Sequence, residues 1–266
     1  MSYADNWLKW FHVIERGASD LSTCLLQQAR AEQAVHLLDA GTGIGEPALS
    51  AATLMQTYGR VTAFDRDPKM IELARARARA RGIDNINFMI GDIDTIGLAG
   101  ASMDSIVARW SLMFVADLHL ALSDLHRILR PGGYLAVACW ASAEQVPSLT
   151  LAKKAVYRHF GRTDPPVNNA FNLADDRALR QAFLEAGFVD VYGEQVPVVY
   201  EFDSIEHYIR NRTDLTGPLW ESPEPMTTSV EEEILEAVAT AAEAHKNSDG
   251  GYRFENLAYC MSGRVP

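Results

Sequence analysis

Three acidic residues and a run of glycines carry the chemistry of this sequence. In VHLLDAGTGIGEPAL, residues 35–49, Asp39 precedes Gly41, Gly43 and Gly45 where an apolar run gives way to a helix-like segment. Glycine lets the backbone turn sharply and lets a ligand come close to main-chain N–H groups. Such a turn suits NAD, FAD or S-adenosylmethionine (SAM), or tight packing alone. A dinucleotide turn reads GxGxxG, its third glycine seating a helix beneath a pyrophosphate. Here the spacing is GxGxG, and Glu46 follows at once. A carboxylate at that place would repel a pyrophosphate and tolerate a ligand with a positive centre. Asp65 ends VTAFDRDP, about 20 residues or slightly more beyond the glycines, where an acidic side chain accepts both ribose hydroxyls. Asp67-Pro68 reads as a helix N-cap and first turn. Asp92 follows INFMIG, where a carboxylate could accept an adenine amino group or simply close a turn.

The elements that must position these residues follow from periodicity. Apolar runs at 35–38, 60–64, 86–90, 105–108 and 134–140 alternate with helix-like stretches at 45–58, 68–81 and 117–129. Strand and helix in alternation predict a parallel α/β sheet with helices on both faces. Strands that are apolar throughout suit burial on both faces. Arg130-Pro131-Gly132-Gly133 is expected to end a helix and open the next strand. Helices are also expected over the first thirty-odd residues (Trp7, Trp10, Phe11, Ile14, Leu21, Leu25 and Leu26 at helical spacing), over 148–160 and over 175–186. Between the last two lies the turn-rich DPPVNN, and strands are expected at 188–202 and 252–264. Ser229-Val230-Glu231-Glu232 reads as a capping box, opening a helix with Ile234, Leu235, Val238 and Ala242 on one face. The pattern predicts one α/β domain with a helical cap: a helical cover over 1–34, the main domain over 35–266, and cap insertions near 142–172 and 203–250.

Composition narrows the partners. The 266 residues carry 24 Lys and Arg against 35 Asp and Glu, a net −11. That balance disfavours a protein that neutralises nucleic-acid phosphates or an anionic membrane surface. The run Arg75-Ala-Arg77-Ala-Arg79-Ala-Arg81 splits over two helix faces, with Glu72 placed to pair with Arg75, so a solvated helix face is expected there. Cys24, Cys139 and Cys260 form no CxxC pair, which argues against a disulfide framework or a zinc site and for a reducing compartment. Asp5, Lys9 and Glu15 interrupt the N-terminal stretch where a signal peptide needs an apolar core. The near-apolar run at 134–141 falls far short of the roughly 20 residues of a membrane helix. A cytoplasmic protein without membrane insertion and without a bound metal is expected.

Taken together, Asp39-x-Gly41-x-Gly43-x-Gly45, Asp65, Gly91-Asp92, VARWSLMF and HRILRPGGYLAVACW resemble a class I SAM-dependent methyltransferase over residues 35–140. The flanks WLKWFHVIERG and FVDVYGEQVPVVYEF resemble a small-molecule branch near the quinone-biosynthesis C-methyltransferases. The resemblance implies a doubly wound, seven-stranded, mostly parallel sheet of Rossmann-like type, its last strand antiparallel, with S-adenosyl-L-methionine as cofactor. It implies that Gly41 and Gly43 face the methionine part, Asp65 the ribose, and Asp92 and Ile93 the adenine. Arg109 and Trp110 would sit beside the methionine carboxylate or the substrate. Asp39, Thr42, Arg66, Met70 and Gly91 complete the expected cofactor-binding set. Thr42 stands where many members have Cys.

Methyl transfer from a sulfonium is an in-line displacement that asks for positioning, and for a general base only when the acceptor is poorly acidic. His12, His119 and His159 are the candidate bases. Each is more often an ordinary surface or core residue, and His159 sits among Lys153, Lys154, Arg158 and Arg162, which disfavour its charged form. Trp7, Trp10, Trp110, Trp140 and Trp220 could line an aromatic pocket. A nucleic-acid methyltransferase would show (N/D/S)PP(Y/F/W) after the fourth strand. That place reads ARWSLM, and Asp164-Pro165-Pro166 falls after the fifth strand. A short-chain dehydrogenase would want Tyr-x-x-x-Lys, which is absent. A Rossmann-type NAD-dependent oxidoreductase and a non-catalytic SAM-binding module stay open as alternatives. The expected activity is methyl transfer to a small, mostly apolar acceptor, aromatic, quinone-like or polyketide-like, with C- against O-methylation open, no nucleic-acid partner, and a homodimer among the expected assemblies. Asp214, Glu221, Glu224, Glu231, Glu232, Glu233, Glu236 and Glu243 lie in a stretch without Lys or Arg. A cap so charged is expected to discourage strongly anionic acceptors such as prenyl diphosphates.

Overall fold

The computed structural model describes residues 2–55, 58–163, 169–219 and 227–266. Trp220, Glu221, Glu224 and the Asp164-Pro165-Pro166 turn therefore lie outside the described residues. The chain forms two compact units. One gathers the described residues of Met1–Ala18, Ser142–Asn168 and Pro197–Leu257. The other holds Ser19–Ala141, Asn169–Val196 and Ala258–Pro266.

The alternating apolar runs build one seven-stranded sheet. Its strands are β1 (His36–Ala40), β2 (Arg60–Asp65), β3 (Ile86–Ile90), β4 (Met103–Arg109), β5 (Leu129–Trp140), β6 (Val189–Phe202) and β7 (Tyr252–Arg264). They run in the order β3-β2-β1-β4-β5-β7-β6. The pairs β1–β2, β1–β4, β2–β3 and β4–β5 are parallel, and β5–β7 is antiparallel. This is the Rossmann-like methyltransferase sheet that the motifs imply. Strand order reverses between β1 and β4, and in such sheets ligands bind beyond the carboxyl ends at that reversal.

Several boundaries move for physical reasons. Helix α3 (Ala48–Met55) begins at Ala48, because Gly43 and Gly45 hold φ of +54° and +107°, outside the helical region. Helix α4 (Pro68–Ala80) starts as expected, with Asp67 capping Lys69 N–H. Helix α5 (Leu118–Ile128) ends before the Arg130-Pro131-Gly132-Gly133 turn. Strand β5 nevertheless begins at Leu129, opposite Met103, with a register shift before Tyr134 pairs with Ser105. Strand β3 is not buried on both faces: Met89 and Ile90 are exposed, because β3 is an edge strand with β2 as its one neighbour.

In the first unit, helix α1 is Tyr3–Lys9 and α6 is Pro147–His159. Helix α8 is Ile205–Thr216 and α9 is Thr228–Ala242. Helix α2 (Phe11–Gln28) and strands β6 and β7 give residues to both units, and α7 (Asp176–Glu185) belongs to the second. The Ser229–Glu232 capping box does not form. Thr227 caps α9 by accepting from Val230 N–H, and Ser229 turns to Glu233. Ile234, Val238 and Ala242 are buried at i, i+4, i+8, while Leu235 lies at the margin. No helix among the described residues is long and apolar enough to cross a membrane.

The core of this unit stacks Tyr208 on Phe254, ring centroids 4.4 Å apart, with Phe202 against both. Asn256 lies fully buried beside it. Its Oδ1 accepts from Ser148 N–H at 3.0 Å and its Nδ2 donates to Val198 O at 2.9 Å. Both partners are fully buried as well. Replacing Asn256 by Leu, near it in volume, strands one donor and one acceptor and is expected to cost about 3 kcal/mol. Urea unfolding would show this as a lower midpoint; an unchanged midpoint would mean the bonds contribute nothing net.

Candidate functional site

The turn between β1 and α3 is irregular backbone, so its polar groups must be paired from outside. Gly41 and Thr42 N–H both donate to Phe64 O, at 3.0 and 2.9 Å, and Gly43 N–H donates to Asp65 Oδ2 at 2.8 Å. Gly41 has φ +82°, and a Cβ there would fall 2.4 Å from Ser111 Cβ, so only glycine fits. Ser111 Oγ in turn donates to Ala40 O at 2.6 Å. Over Gly43 the space is open: a Cβ would meet no atom within 4 Å.

The carboxylates at the strand ends have distinct surroundings. Asp39, at the end of β1, is fully buried, and its Oδ2 accepts from Ala48 N–H at 3.0 Å, the first residue of α3. Burial pushes its pKa up to about 7, against the lowering pull of Thr42, Arg109 and the Ala48 N–H. Asp65, ending β2, spreads its oxygens over Gly43 N–H and Asp67 N–H. Desolvation raises its pKa, while the Asp67 and Gly43 N–H groups oppose that rise. Gly91 N–H ties back to Asp65 O at 3.1 Å. Asp92 Oδ1 accepts from Asp94 N–H, so the turn role weighed for it is real, and Ile93 beside it is buried. On α4, Met70 is buried and Arg66, just before it, is exposed.

The arginine run is solvent-exposed at Arg75, Arg79 and Arg81, as expected, but it also has partners off the helix. Arg77 reaches Ile44 O and Glu46 Oε1, and Arg81 reaches the same Oε1 at 2.9 Å. Arg75 donates to Phe88 O, and Glu72 pairs with Lys69 instead of with Arg75. Helix α4 runs alongside the turn and β3, so the long guanidinium arms find backbone carbonyls and a carboxylate that residue spacing within one helix cannot reveal. Glu46 is correspondingly not a bare charge facing a ligand: its side chain is 7% exposed, with two arginines on Oε1 and Ser50 on Oε2.

At the end of β4, Arg109 is buried. It donates to Ser22 Oγ at 2.7 Å and to Glu46 O at 3.3 Å, and its guanidinium lies 5.1 Å from the Trp110 ring centroid. Trp110 holds φ +54°, a strained value for a bulky residue, and its ring stacks on Trp140 at 4.5 Å. Of the candidate bases, only His119 belongs to this unit. It is exposed, with Nδ1 3.5 Å from Glu185 Oε2. His12 and His159 belong to the other unit and are both exposed. Nor does His159 stand among cations alone, since Glu233 Oε2 lies 3.4 Å from its Nε2. Reading by motif overlooked Ser22, Arg77, Arg81 and Ser111. The i, i+4 spacing of Arg77 and Arg81 opposite Glu46 was the one available signal.

A family model described as a methyltransferase domain matches residues 31–186, more than half of the chain. The chain belongs to this methyltransferase family. It is a class I SAM-dependent methyltransferase whose cofactor is S-adenosyl-L-methionine. Among its relatives is a demethylmenaquinone methyltransferase of Staphylococcus epidermidis, 26% identical over 170 residues, 58% of this chain and 68% of that protein. Another is an aklanonic acid methyltransferase of a Streptomyces species, 37% identical over 100 residues, 38% of this chain and 46% of that one. The solved YcgJ protein of Bacillus subtilis shares the fold with a TM-score of 0.59 at 16% identity, over 93% of this chain and 98% of that one. The residues of this methyltransferase fit a cationic, ribose-bearing cofactor. There is open space above Gly43, and Asp65 and Asp92 stand at neighbouring strand ends with acceptor lone pairs to spare.

The buried Asp39 of this methyltransferase makes stability depend on pH. Its folded pKa of about 7 lies above the ordinary 3.8, so the folded state favours the protonated carboxyl. That contribution is full below about pH 4 and is lost as pH rises through about 7. Asp39→Asn keeps a neutral acceptor for Ala48 N–H. Without added SAM, its stability relative to wild type is expected to improve by about 2 kcal/mol or more between pH 5 and pH 8. Denaturant titrations at the two pH values measure this, and a gap that stays constant would refute a neutral buried carboxyl.

Proposed function

We propose that this methyltransferase transfers the methyl group of SAM to a small, mostly apolar acceptor of aromatic, quinone-like or polyketide-like type. The observation that carries the cofactor half is the Gly43 N–H to Asp65 Oδ2 tie at 2.8 Å, in the open turn of the matched domain. Bound there, SAM supplies a methyl on a positive sulfur, already activated for in-line displacement. Asp65 accepts from the ribose hydroxyls. Gly91, Asp92 and Ile93 flank the adenine, with Arg66 just before α4 and Met70 on its first turn bordering it. Gly41, Thr42 and Gly43 lie along the methionine part. Asp39 and Arg109 act beneath the turn, holding Ala48 N–H and Glu46 O so that the turn keeps its shape.

The acceptor half rests on three supports. Relatives are named for demethylmenaquinone and for aklanonic acid. In the same unit as the turn, Trp110 and Trp140 stack at 4.5 Å, next to Arg109. Such a pair offers an apolar platform that suits a flat acceptor. The chain's net −11 supports a small-molecule acceptor over a nucleic acid.

Isothermal titration tests the cofactor half. SAM is expected to bind wild type and to bind Asp65→Ala at least about tenfold more weakly, a loss of roughly 1.4 kcal/mol or more. Undiminished binding in the variant would overturn the assignment of Asp65. A mass-spectrometric screen of quinols, phenols and polyketide acids with SAM tests the acceptor half. The expected product is heavier than its acceptor by one CH2 and appears with S-adenosylhomocysteine.

A further inference from the structure

Helix α8 buries a cation that has no counterion among the described residues. Asn211 and Arg212 are 1% and 4% exposed. The guanidinium Nε and Nη2 both donate to one neutral oxygen, Asn211 Oδ1, at 3.0 and 2.6 Å. Among the described residues no carboxylate lies within ion-pair distance of it. The groups that act on it electrostatically are the tyrosines Tyr208, Tyr200 and Tyr3, and burial works against its charge. A buried ion without a partner is among the costlier features a fold can carry.

The surroundings are short of acceptors. Arg212 holds the Asn211 amide by its oxygen, and Asn211 Nδ2 is buried with no hydrogen-bond partner among the described residues. Trp7 Nε1 and Ser148 Oγ, in the same unit, are also buried without partners among the described residues. Trp7 is linked to this neighbourhood through its edge-on contact with Tyr3. Ser148 is linked through its carbonyl, which accepts from the Tyr208 hydroxyl. A planar guanidinium beside the unused Asn211 Nδ2 donor matches a group with several lone pairs and one negative charge. A carboxylate meets that need in the flat, two-oxygen geometry the fork prefers. A diphosphate does not, because one guanidinium faces two or more charges in a unit that also carries Glu231, Glu232, Glu233, Glu236 and Glu243.

We infer that Arg212 and Asn211 form a binding site for the carboxylate of a small organic acid. The site is built from residues of the first unit, and the inference does not depend on which acceptor is methylated.

Benzoate, naphthoate and decanoate, each beside its neutral methyl ester, are the probes for thermal shift and titration calorimetry on the whole chain. At least one acid is expected to bind wild type about tenfold or more tightly than its ester and to raise the melting temperature. Arg212→Met removes the charge. Asn211→Asp supplies the missing anion from within the helix. Both variants are expected to lose the preference for acid over ester, to melt higher than wild type without ligand, and to bind SAM as wild type does. That last reading separates this site from the cofactor assignment and reports on folding. Wild type that never distinguishes acid from ester, or variants that keep the preference, would overturn the inference. So would inorganic phosphate that displaces the acid at equal concentration.

Discussion

The hydrogen bond from Gly43 N–H to Asp65 Oδ2 joins two things that would otherwise be independent: an irregular turn and the strand next to it. A turn with three glycines at positive φ has many other shapes open to it, and ordering it costs about 1–2 kcal/mol per residue in backbone entropy. The turn is therefore gripped from several directions. Phe64 O takes two of its N–H groups, Arg77 takes Ile44 O, Arg109 takes Glu46 O, and Ser111 presses on Gly41. Asp65 can hold the turn and still receive a ligand, because an ionised carboxylate offers about four acceptor positions and two are in use here.

The second constraint is electrostatic. Within a few residues the turn holds Asp39 and Glu46, and three arginines, Arg77, Arg81 and Arg109, reach into it. The charges are allotted unequally. Glu46 keeps two guanidinium groups close to its carboxylate. Asp39 has Arg109 at longer range and is desolvated, so its pKa drifts up to about 7. A carboxyl that can be neutral beneath the turn leaves the turn's outward field to Asp65 and Asp92. A cationic ligand therefore meets those two without competition from a third charge below.

Much of this was legible in residue order because periodicity is local. The alternation of apolar runs predicted the strands, and the glycine spacing with Asp65 and Asp92 located the ends where they converge. Burial on both faces failed for β3 because edge position is a property of the whole sheet. The capping box at Ser229 failed because Thr227 competes for the same first turn and sits two residues earlier. The partners of the exposed arginine run were missed because i, i+3 reasoning sees only partners on the same helix. Glu46 lies 31 residues from Arg77, and Ser22 lies 87 from Arg109. No pattern within a window of one or two turns carries such pairings.

Charge counting illustrates the same limit for the first unit. Its acidic stretch looked like the feature that would decide what that unit binds, yet Glu231, Glu232, Glu236 and Glu243 are exposed and Asp214 is paired with Lys9. Exposed charges are screened within about 8–10 Å at ordinary ionic strength, so their sum says little about a ligand held in the interior. A buried charge is screened far less, and its unmet demand acts at full strength on whatever comes next to it. One guanidinium held by an amide and acted on by three tyrosines therefore carries more information about binding than the acidic residues of the stretch. A sequence total of −11 conceals it, since Arg212 enters that sum with the weight of any surface arginine.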